Sequence, residues 1–151
     1  VHVLGIFEPI MKLYPELFFF TPLIAAMAGN VGVQSSAIIV QGLANNTIIG
    51  PVVERLLKEL SLSLLNGIIL SVILLAGSYF LLGYEIHVGY TVSIALLSVI
   101  IMASLIGTFI PIILNKYGVD PALATGPFIS TSNDILGILT YFTIAKIILG
   151  I

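Results

Sequence analysis

The 151-residue sequence has no cysteine and few charged residues. Without cysteine, the chain cannot form disulfides, thiolate metal sites or cysteine nucleophiles. Charged residues make up 8% of the sequence and hydrophobic residues 59%, which leaves too little polar sequence to cover the surface of a soluble globule. The formal net charge of −2 is too small to indicate nucleic acid or another polyanion as a partner. This composition predicts a protein of the lipid bilayer.

Long apolar stretches indicate membrane-spanning helices, each of which needs about 20 mainly apolar residues. The chain also opens on apolar residues, which indicate the end of a further helix, with a short tail on the bilayer surface as the alternative. No basic region precedes an apolar core there, so no cleavable signal peptide is predicted. We predict an all-α integral membrane protein, a bundle of five transmembrane helices per subunit with the first truncated. It forms one domain over 1–151, with long helices at about 17–43, 62–82, 88–114 and 122–149.

Charged residues gather in the predicted connections and determine the predicted orientation. Segment 45–61 mixes charged residues with leucines, so we predict a short amphipathic piece at the membrane surface. Counting bases gives three on one side and two on the other: Arg55, Lys58 and Lys116 against Lys12 and Lys146. The positive-inside rule predicts that the side with three bases faces the cytoplasm.

Prolines mark where the helices are expected to end. Most fall near helix ends or in connections, where proline is tolerated: Pro15, Pro22, Pro51, Pro111 and Pro121. Pro127 is predicted to lie inside the last helix, one turn before Ser130, where it would free a carbonyl and kink or loosen the turn. Broken backbone at membrane depth is tolerated where it lines a cavity.

Asp134 is the only acidic residue deep inside a predicted membrane-spanning segment. An ionised carboxylate in hydrocarbon is costly, so such a residue usually marks an ion or proton path. At 100° per residue, Ser130 and Asp134 share one face of the last helix with Gly126 and Gly137. No base occurs in the apolar part of any predicted helix to neutralise the carboxylate. We predict cation binding at Asp134, the alternative being a carboxyl group protonated or hydrogen-bonded between helices.

Amide side chains form a second polar face, on the first of the four long helices. They fall within an arc of about 60°, and they are Asn30, Gln34, Gln41 and Asn45. Hydrogen bonds between helices and the lining of a hydrated pore both explain this stripe, and pore lining is favoured. A neighbouring stripe of small residues, Gly29, Gly32 and Ser36, offers a surface for close helix packing.

Oxygen atoms are the only ligands that these faces offer. Such an environment suits hard cations, namely magnesium, calcium or sodium, and disfavours copper and zinc. Asp120 stands just before Pro121 at a helix start, where capping of free N–H groups is the default interpretation of a carboxylate. The residues by themselves permit magnesium but do not select it.

Two separated segments resemble one known family. Segment 22–44, with Asn30, Gly32 and Gln34, resembles the second transmembrane helix of the MgtE magnesium transporters. Segment 120–142, with Asp-Pro-Ala, then Gly-Pro and then Asp134, resembles the fifth. The two segments occur in the family's order with a matching number of helices between them, and the resemblance covers essentially the whole chain.

The resemblance implies a homodimer in a bacterial or archaeal cell membrane, with five transmembrane helices per subunit and the ion path between subunits. It implies that Asp134 coordinates Mg²⁺ in the pore, with oxygens from Ser130 and Gly126 nearby. It also implies that Asn30 and Gln34 line the same path. The counterpart of Asp120 lies at the cytoplasmic mouth, where further magnesium ions regulate opening.

Alternatives to a gated magnesium channel stay open. Family members typically carry a cytosolic acidic domain and paired CBS domains before the membrane region. This sequence contains neither, so it is either a fragment or a member of a subgroup without them, and gating by them is not predicted. Related eukaryotic carriers suggest a sodium-coupled exchanger. A non-transporting assembly subunit is the remaining competitor.

Enzyme classes fit poorly. An intramembrane aspartyl protease needs two membrane acids, and a membrane metalloprotease needs a His-Glu-x-x-His helix. His2 and His87 are isolated.

Overall fold

A computed structural model of the chain describes residues 7–48, 50–124 and 126–150, and the regular elements in these ranges are all helices. In chain order they are α1 (Glu8–Leu13), α2 (Glu16–Ala44), α3 (Val52–Phe80), α4 (Ile86–Lys116), a 3-10 helix (Pro121–Ala124) and α5 (Pro127–Leu149). Four of them, α2 to α5, are long and apolar enough to cross a membrane. The prediction of an all-α multi-pass membrane protein is therefore confirmed. The predicted remnant of a further helix falls mainly on residues 1–6, outside the described part.

The long helices exceed the thickness of the bilayer core. α2 and α3 have 29 residues each, which at 1.5 Å per residue is roughly 44 Å. Hydrocarbon is about 30 Å thick, so the ends of these helices reach the interfacial zone. For α3 this accommodates the charged first two turns, in which Glu54 and Lys58 form an exposed ion pair.

α4 is the central helix of the bundle and packs against α2, α3 and α5. Its buried face is a run of small and β-branched residues, including Val92, Ala95, Val99 and Ala103. α2 also packs against α5, so α2, α4 and α5 surround the main apolar core. Tyr141 and Phe142 of α5 are the largest fully buried side chains in that core.

The backbones of α2 and α4 touch where two glycines meet. A Cβ atom on Gly107 would collide with the carbonyl oxygen of Gly32. Small residues at such crossings let membrane helices approach closely, and van der Waals packing then stabilises the pair. The small-residue stripe predicted on α2 is therefore a packing surface in the structure.

Two features of the sequence analysis are wrong. Segment 45–61 is not a separate surface piece, because α3 begins at Val52 and continues without a break into the apolar run. Pro127 does not lie inside a helix, because it occupies the first turn of α5, where its missing N–H has no helical partner to lose. Gly126 precedes it with φ of 67°, a left-handed conformation that glycine adopts readily. Between α4 and α5, residues Pro121–Ala124 form the short 3-10 helix.

Proline does occur inside two helices, Pro22 in α2 and Pro111 in α4. Both lie within two turns of a helix end, which agrees with the tolerance expected there. The two-turn helix α1 is not predicted by the sequence analysis. It carries an ion pair one turn apart, Lys12 Nζ to Glu8 Oε1 at 2.7 Å, and the hydrogen bond from Lys12 holds the pKa of Glu8 below its ordinary value.

Candidate cation site

Asp134 lies at the contact between α5 and α2, directly over the glycine stripe of α2. A Cβ atom on Gly29 would stand 2.6 Å from Asp134 Oδ1 and 3.1 Å from Ser130 Oγ. The two side chains predicted to share a face therefore meet the same point on the neighbouring helix. Glycine at this position leaves the space that the carboxylate and the hydroxyl occupy.

The carboxylate of Asp134 has no basic partner in the described part of the chain. The ion pairs recorded there join Glu8 to Lys12 and Glu54 to Lys58. Asp134 is only half-buried, so its carboxylate also keeps an open side. A half-buried acid without a counter-ion, beside a hydroxyl, is suited to attract a cation.

Asn133 fills a notch one residue away. Its side chain is fully buried, and a Cβ atom on Gly32 would collide with its amide nitrogen. Within the described residues, neither the oxygen nor the nitrogen of this amide has a hydrogen-bond partner. The structure thus places Asn133 inside the α2–α5 contact.

Two further predicted ligands, Gly126 and Asp120, precede α5 along the chain. The Gly126 carbonyl accepts the N–H of Ser130 at 3.0 Å, so it closes the first turn of α5. Asp120 Oδ1 accepts the N–H of Ala122 at 2.9 Å. That hydrogen bond is the capping interaction expected of an aspartate before Pro121. The structure thus gives both residues a role in the backbone, and their role as ligands stays a prediction.

Asn30 and Gln34 line a cavity of about 440 Å³ on another side of α2. Its walls come from α2, α3 and α4, and they include neither Asp134 nor Ser130. Both amides are exposed in the single chain. The structure therefore associates these two predicted pore residues with a different acid, Glu59 of α3.

Glu59 is the acid that the sequence analysis misses. Its side chain is only 8% exposed, and its Oε1 atom accepts hydrogen bonds from Ser35 at 2.6 Å and Ser104 at 2.7 Å. It follows Lys58 and lies one turn after Arg55, so its surroundings in the sequence resemble a solvated surface. A signal was present: Glu59, Ser63 and Asn66 fall within about 60° on one face of α3, which is a polar stripe entering an apolar helix.

The three bases used to predict orientation come together at one end of the bundle. Arg55, Lys58 and Lys116 line a single cavity of about 390 Å³, which is formed by the end of α2, the connection that follows it, the start of α3 and the end of α4. They therefore lie on the same side of the membrane, as the prediction requires. Their assignment to the cytoplasm stays a prediction.

Comparison with known proteins assigns the chain to a family. The model of the MgtE family, described as a divalent cation transporter, matches residues 21–144. The chain belongs to the MgtE family. The match begins at the sixth residue of α2 and ends in the second half of α5, so it includes both Gly29 and Asp134.

Three curated relatives support this family assignment. The magnesium transporter MgtE of Bacillus subtilis is 38% identical over 144 residues, which are 95% of this chain and 32% of the relative. The protein of the same name from Thermus thermophilus is 33% identical over 144 residues, again 95% of the chain and 32% of the relative. That of Enterococcus faecalis is 34% identical over 143 residues, 93% of the chain and 31% of the relative. The chain spans about a third of the length of these relatives.

Proposed function

We propose that this chain forms a magnesium-transporting pore at the interface of a homodimer, with the Asp134 carboxylates of two subunits facing one hydrated Mg²⁺. The observation that carries the proposal is the half-buried Asp134 carboxylate, which has no counter-ion among the described residues and shares the surface of Gly29 with the Ser130 hydroxyl. The relatives named magnesium transporter support magnesium as the ion. Their similarity spans the helices that carry this site.

The charge at the site favours two subunits. One carboxylate neutralises half of the charge of a divalent cation, whereas two neutralise all of it. Mg²⁺ dehydrates reluctantly and is commonly held through one or two carboxylates while it keeps several waters. The exposed side of α5, which includes Phe128 and Ile135, leaves an apolar surface beside Asp134 for a second subunit to cover. The carbonyl of Gly126 is proposed to contribute an oxygen to this ion, and Asn30 and Gln34, as exposed amides of α2, are proposed to line the wider path on the side of α2 that faces Glu59.

The decisive test is magnesium flux into liposomes that contain the purified chain. We expect Asp134→Asn and Asp134→Ala to lower the flux by more than about tenfold, because even changes to the outer shell of metal sites cost 10–100-fold. Glu85→Gln is the matched control, since Glu85 is an exposed acid in the connection between α3 and α4. Undiminished flux in a folded Asp134 variant would refute the role of this residue.

The same assay separates a channel from a sodium-coupled exchanger. Flux that follows the magnesium gradient alone, unchanged by an opposing sodium gradient, is the result expected for a pore. Flux that requires sodium on the opposite side of the membrane would assign the exchanger instead.

Cysteine crosslinking tests the dimer interface, because the chain has no cysteine of its own. Thr131 lies about 60° from Asp134 around α5, and Leu136 about 160° away on the opposite face. We expect Thr131→Cys to form a disulfide-linked dimer in the membrane and Leu136→Cys not to do so. Crosslinking from Leu136 alone would place the interface on the wrong side of α5 for the proposed pore.

A further inference from the structure

Glu59 is a second acid within the bundle, and it is more deeply buried than Asp134. Its Oε1 atom accepts both of its recorded hydrogen bonds, from Ser35 of α2 and Ser104 of α4. The two hydroxyl oxygens also lie 3.2 Å from each other, so the three side chains form one cluster that joins three helices. Both donors converge on the same oxygen, and Oε2 is left for another partner.

In the part of the chain that the structure describes, no ion pair neutralises this carboxylate. Arg55 precedes Glu59 by one turn of α3 and Lys58 by one residue, but the ion pairs among the described residues do not include Glu59. Arg55 and Lys58 line the neighbouring cavity at the end of the bundle. Hydroxyl groups donate hydrogen bonds but carry no charge, so an ionised Glu59 in this position lacks a counter-charge, and buried charges are paired or bind metal ions.

The cavity beside Glu59 supplies the other ligands that a hard cation needs. Besides the two serines of the cluster, its polar wall consists of Asn30, Gln34, Ser63 and Asn66, and no Lys or Arg lines it. Amide and hydroxyl oxygens together with one carboxylate form an oxygen-only set, which suits Mg²⁺ or Ca²⁺. Six waters take up about 180 Å³ at roughly 30 Å³ each. The cavity volume of about 440 Å³ therefore accommodates a hydrated ion.

This cavity is separate from the contact that holds Asp134. Glu59 meets α2 at Ser35, and Asp134 meets it at Gly29. Six residues along a helix correspond to a rise of about 9 Å and a rotation of about 120°. An ion at Glu59 would therefore lie on a different side of α2 from an ion at Asp134.

From these contacts we infer that Glu59 is the centre of a second cation site, which binds a hydrated divalent cation through Glu59 Oε2 and the amide oxygens of Asn30, Gln34 and Asn66. Ser35 and Ser104 are its positioning residues, since their hydrogen bonds to Oε1 hold the carboxylate in place. Cation binding at Glu59 is expected whether or not Asp134 acts in transport.

Mn²⁺ binding to the purified chain, followed by electron paramagnetic resonance and equilibrium dialysis, tests the inference. The measurement is made in an Asp134→Asn background, so that failure of the Asp134 assignment and failure of this one are distinguishable. We expect about one Mn²⁺ per chain to remain bound in that background and to be lost on addition of Glu59→Gln. Equal Mn²⁺ binding with and without Glu59→Gln would overturn the inference. So would the absence of bound Mn²⁺ from the Asp134→Asn protein.

Glu54→Gln is the matched control in the same background. Glu54 lies on the same helix but is exposed and paired with Lys58, so its removal leaves Mn²⁺ binding unchanged. Complete displacement of Mn²⁺ by sodium, at an ionic strength matched with choline, would assign a monovalent cation and contradict the divalent assignment. Retention of Mn²⁺ in sodium supports the inference.

The two serines supply a graded test of positioning. Ser35→Ala and Ser104→Ala each remove one hydrogen bond to the carboxylate, and we expect each to weaken Mn²⁺ affinity about tenfold. Ser61→Ala is the control, since the exposed Ser61 hydroxyl bonds only to the carbonyl of Leu57 in its own helix. Unchanged Mn²⁺ affinity in both Ser35→Ala and Ser104→Ala would contradict their positioning role.

Discussion

Asp134 Oδ1 occupies the space above Gly29 that a side chain would fill, with only 2.6 Å between this oxygen and the position of a Cβ atom on Gly29. The absence of a side chain on α2 is thus what admits the carboxylate of α5. The atoms nearest to that Cβ position belong to the ends of the Asp134 and Ser130 side chains. Such side-chain ends can shift, whereas backbone atoms could not. Gly29 therefore controls where the two oxygen-bearing groups point.

Gly29→Ala is expected to lower magnesium flux about tenfold while leaving the fold intact, because the added methyl group displaces the Asp134 carboxylate and alters its distance to the ion. The measurement is liposome flux together with the melting temperature in detergent. Gly77→Ala is the control, since a Cβ atom at Gly77 would meet nothing within 4 Å. Full flux in folded Gly29→Ala would show that the position of Asp134 is not critical for transport.

Gly107→Ala is expected to destabilise the bundle by about 1–3 kcal/mol, a typical cost of forcing extra atoms into a packed interior. The added methyl group meets the backbone of Gly32, which cannot move aside as a side chain can. Denaturant unfolding in micelles measures the effect. Gly77→Ala, on an open surface of α3, should instead stabilise by up to about 1 kcal/mol through helix propensity. Equal unfolding free energies for the two variants would contradict close backbone contact between α2 and α4.

Tyr141→Phe is expected to lower the free energy of unfolding by about 0.6–1.5 kcal/mol. The Tyr141 hydroxyl donates to the Leu17 carbonyl at 2.9 Å, and the side chain is fully buried, so water cannot replace the lost donor. Tyr117→Phe is the control, because Tyr117 is 76% exposed. Denaturant unfolding in micelles measures the effect. Equal losses of unfolding free energy in the two variants would show that the hydrogen bond from Tyr141 does not stabilise the fold.

The sequence predicts the helices well because membrane-spanning segments follow from hydrophobicity alone. Its errors occur where charge or proline interrupts the apolar pattern. The charged turns of 54–59 suggest a surface segment, yet helical hydrogen bonding continues through them and α3 simply projects from the hydrocarbon core. Pro127 suggests a kink inside a helix. In the structure, Gly126 adopts a left-handed conformation just before it, and α5 begins at Pro127.

Asp134 and Glu59 show what a sequence can and cannot reveal about the sites. Asp134 stands out because its neighbours along the chain are apolar, which makes its cost in a membrane evident. Glu59 has charged neighbours along the chain, and its burial arises from Ser35 and Ser104, which lie 24 and 45 residues away. Pairing across such separations depends on how the helices pack, and that information is not contained in any single helix. The grouping of Asn30 and Gln34 with Glu59 is a tertiary property for the same reason.

The glycine-to-glycine contact between Gly32 and Gly107 also limits how the protein can move. Two helices whose backbones touch cannot slide past or rotate against each other without a clash, so α2 and α4 are expected to keep their relative position. Both acids contact this pair of helices, Asp134 at Gly29 and Glu59 at Ser35 and Ser104. The two carboxylates therefore face surfaces whose relative position the glycine contact fixes.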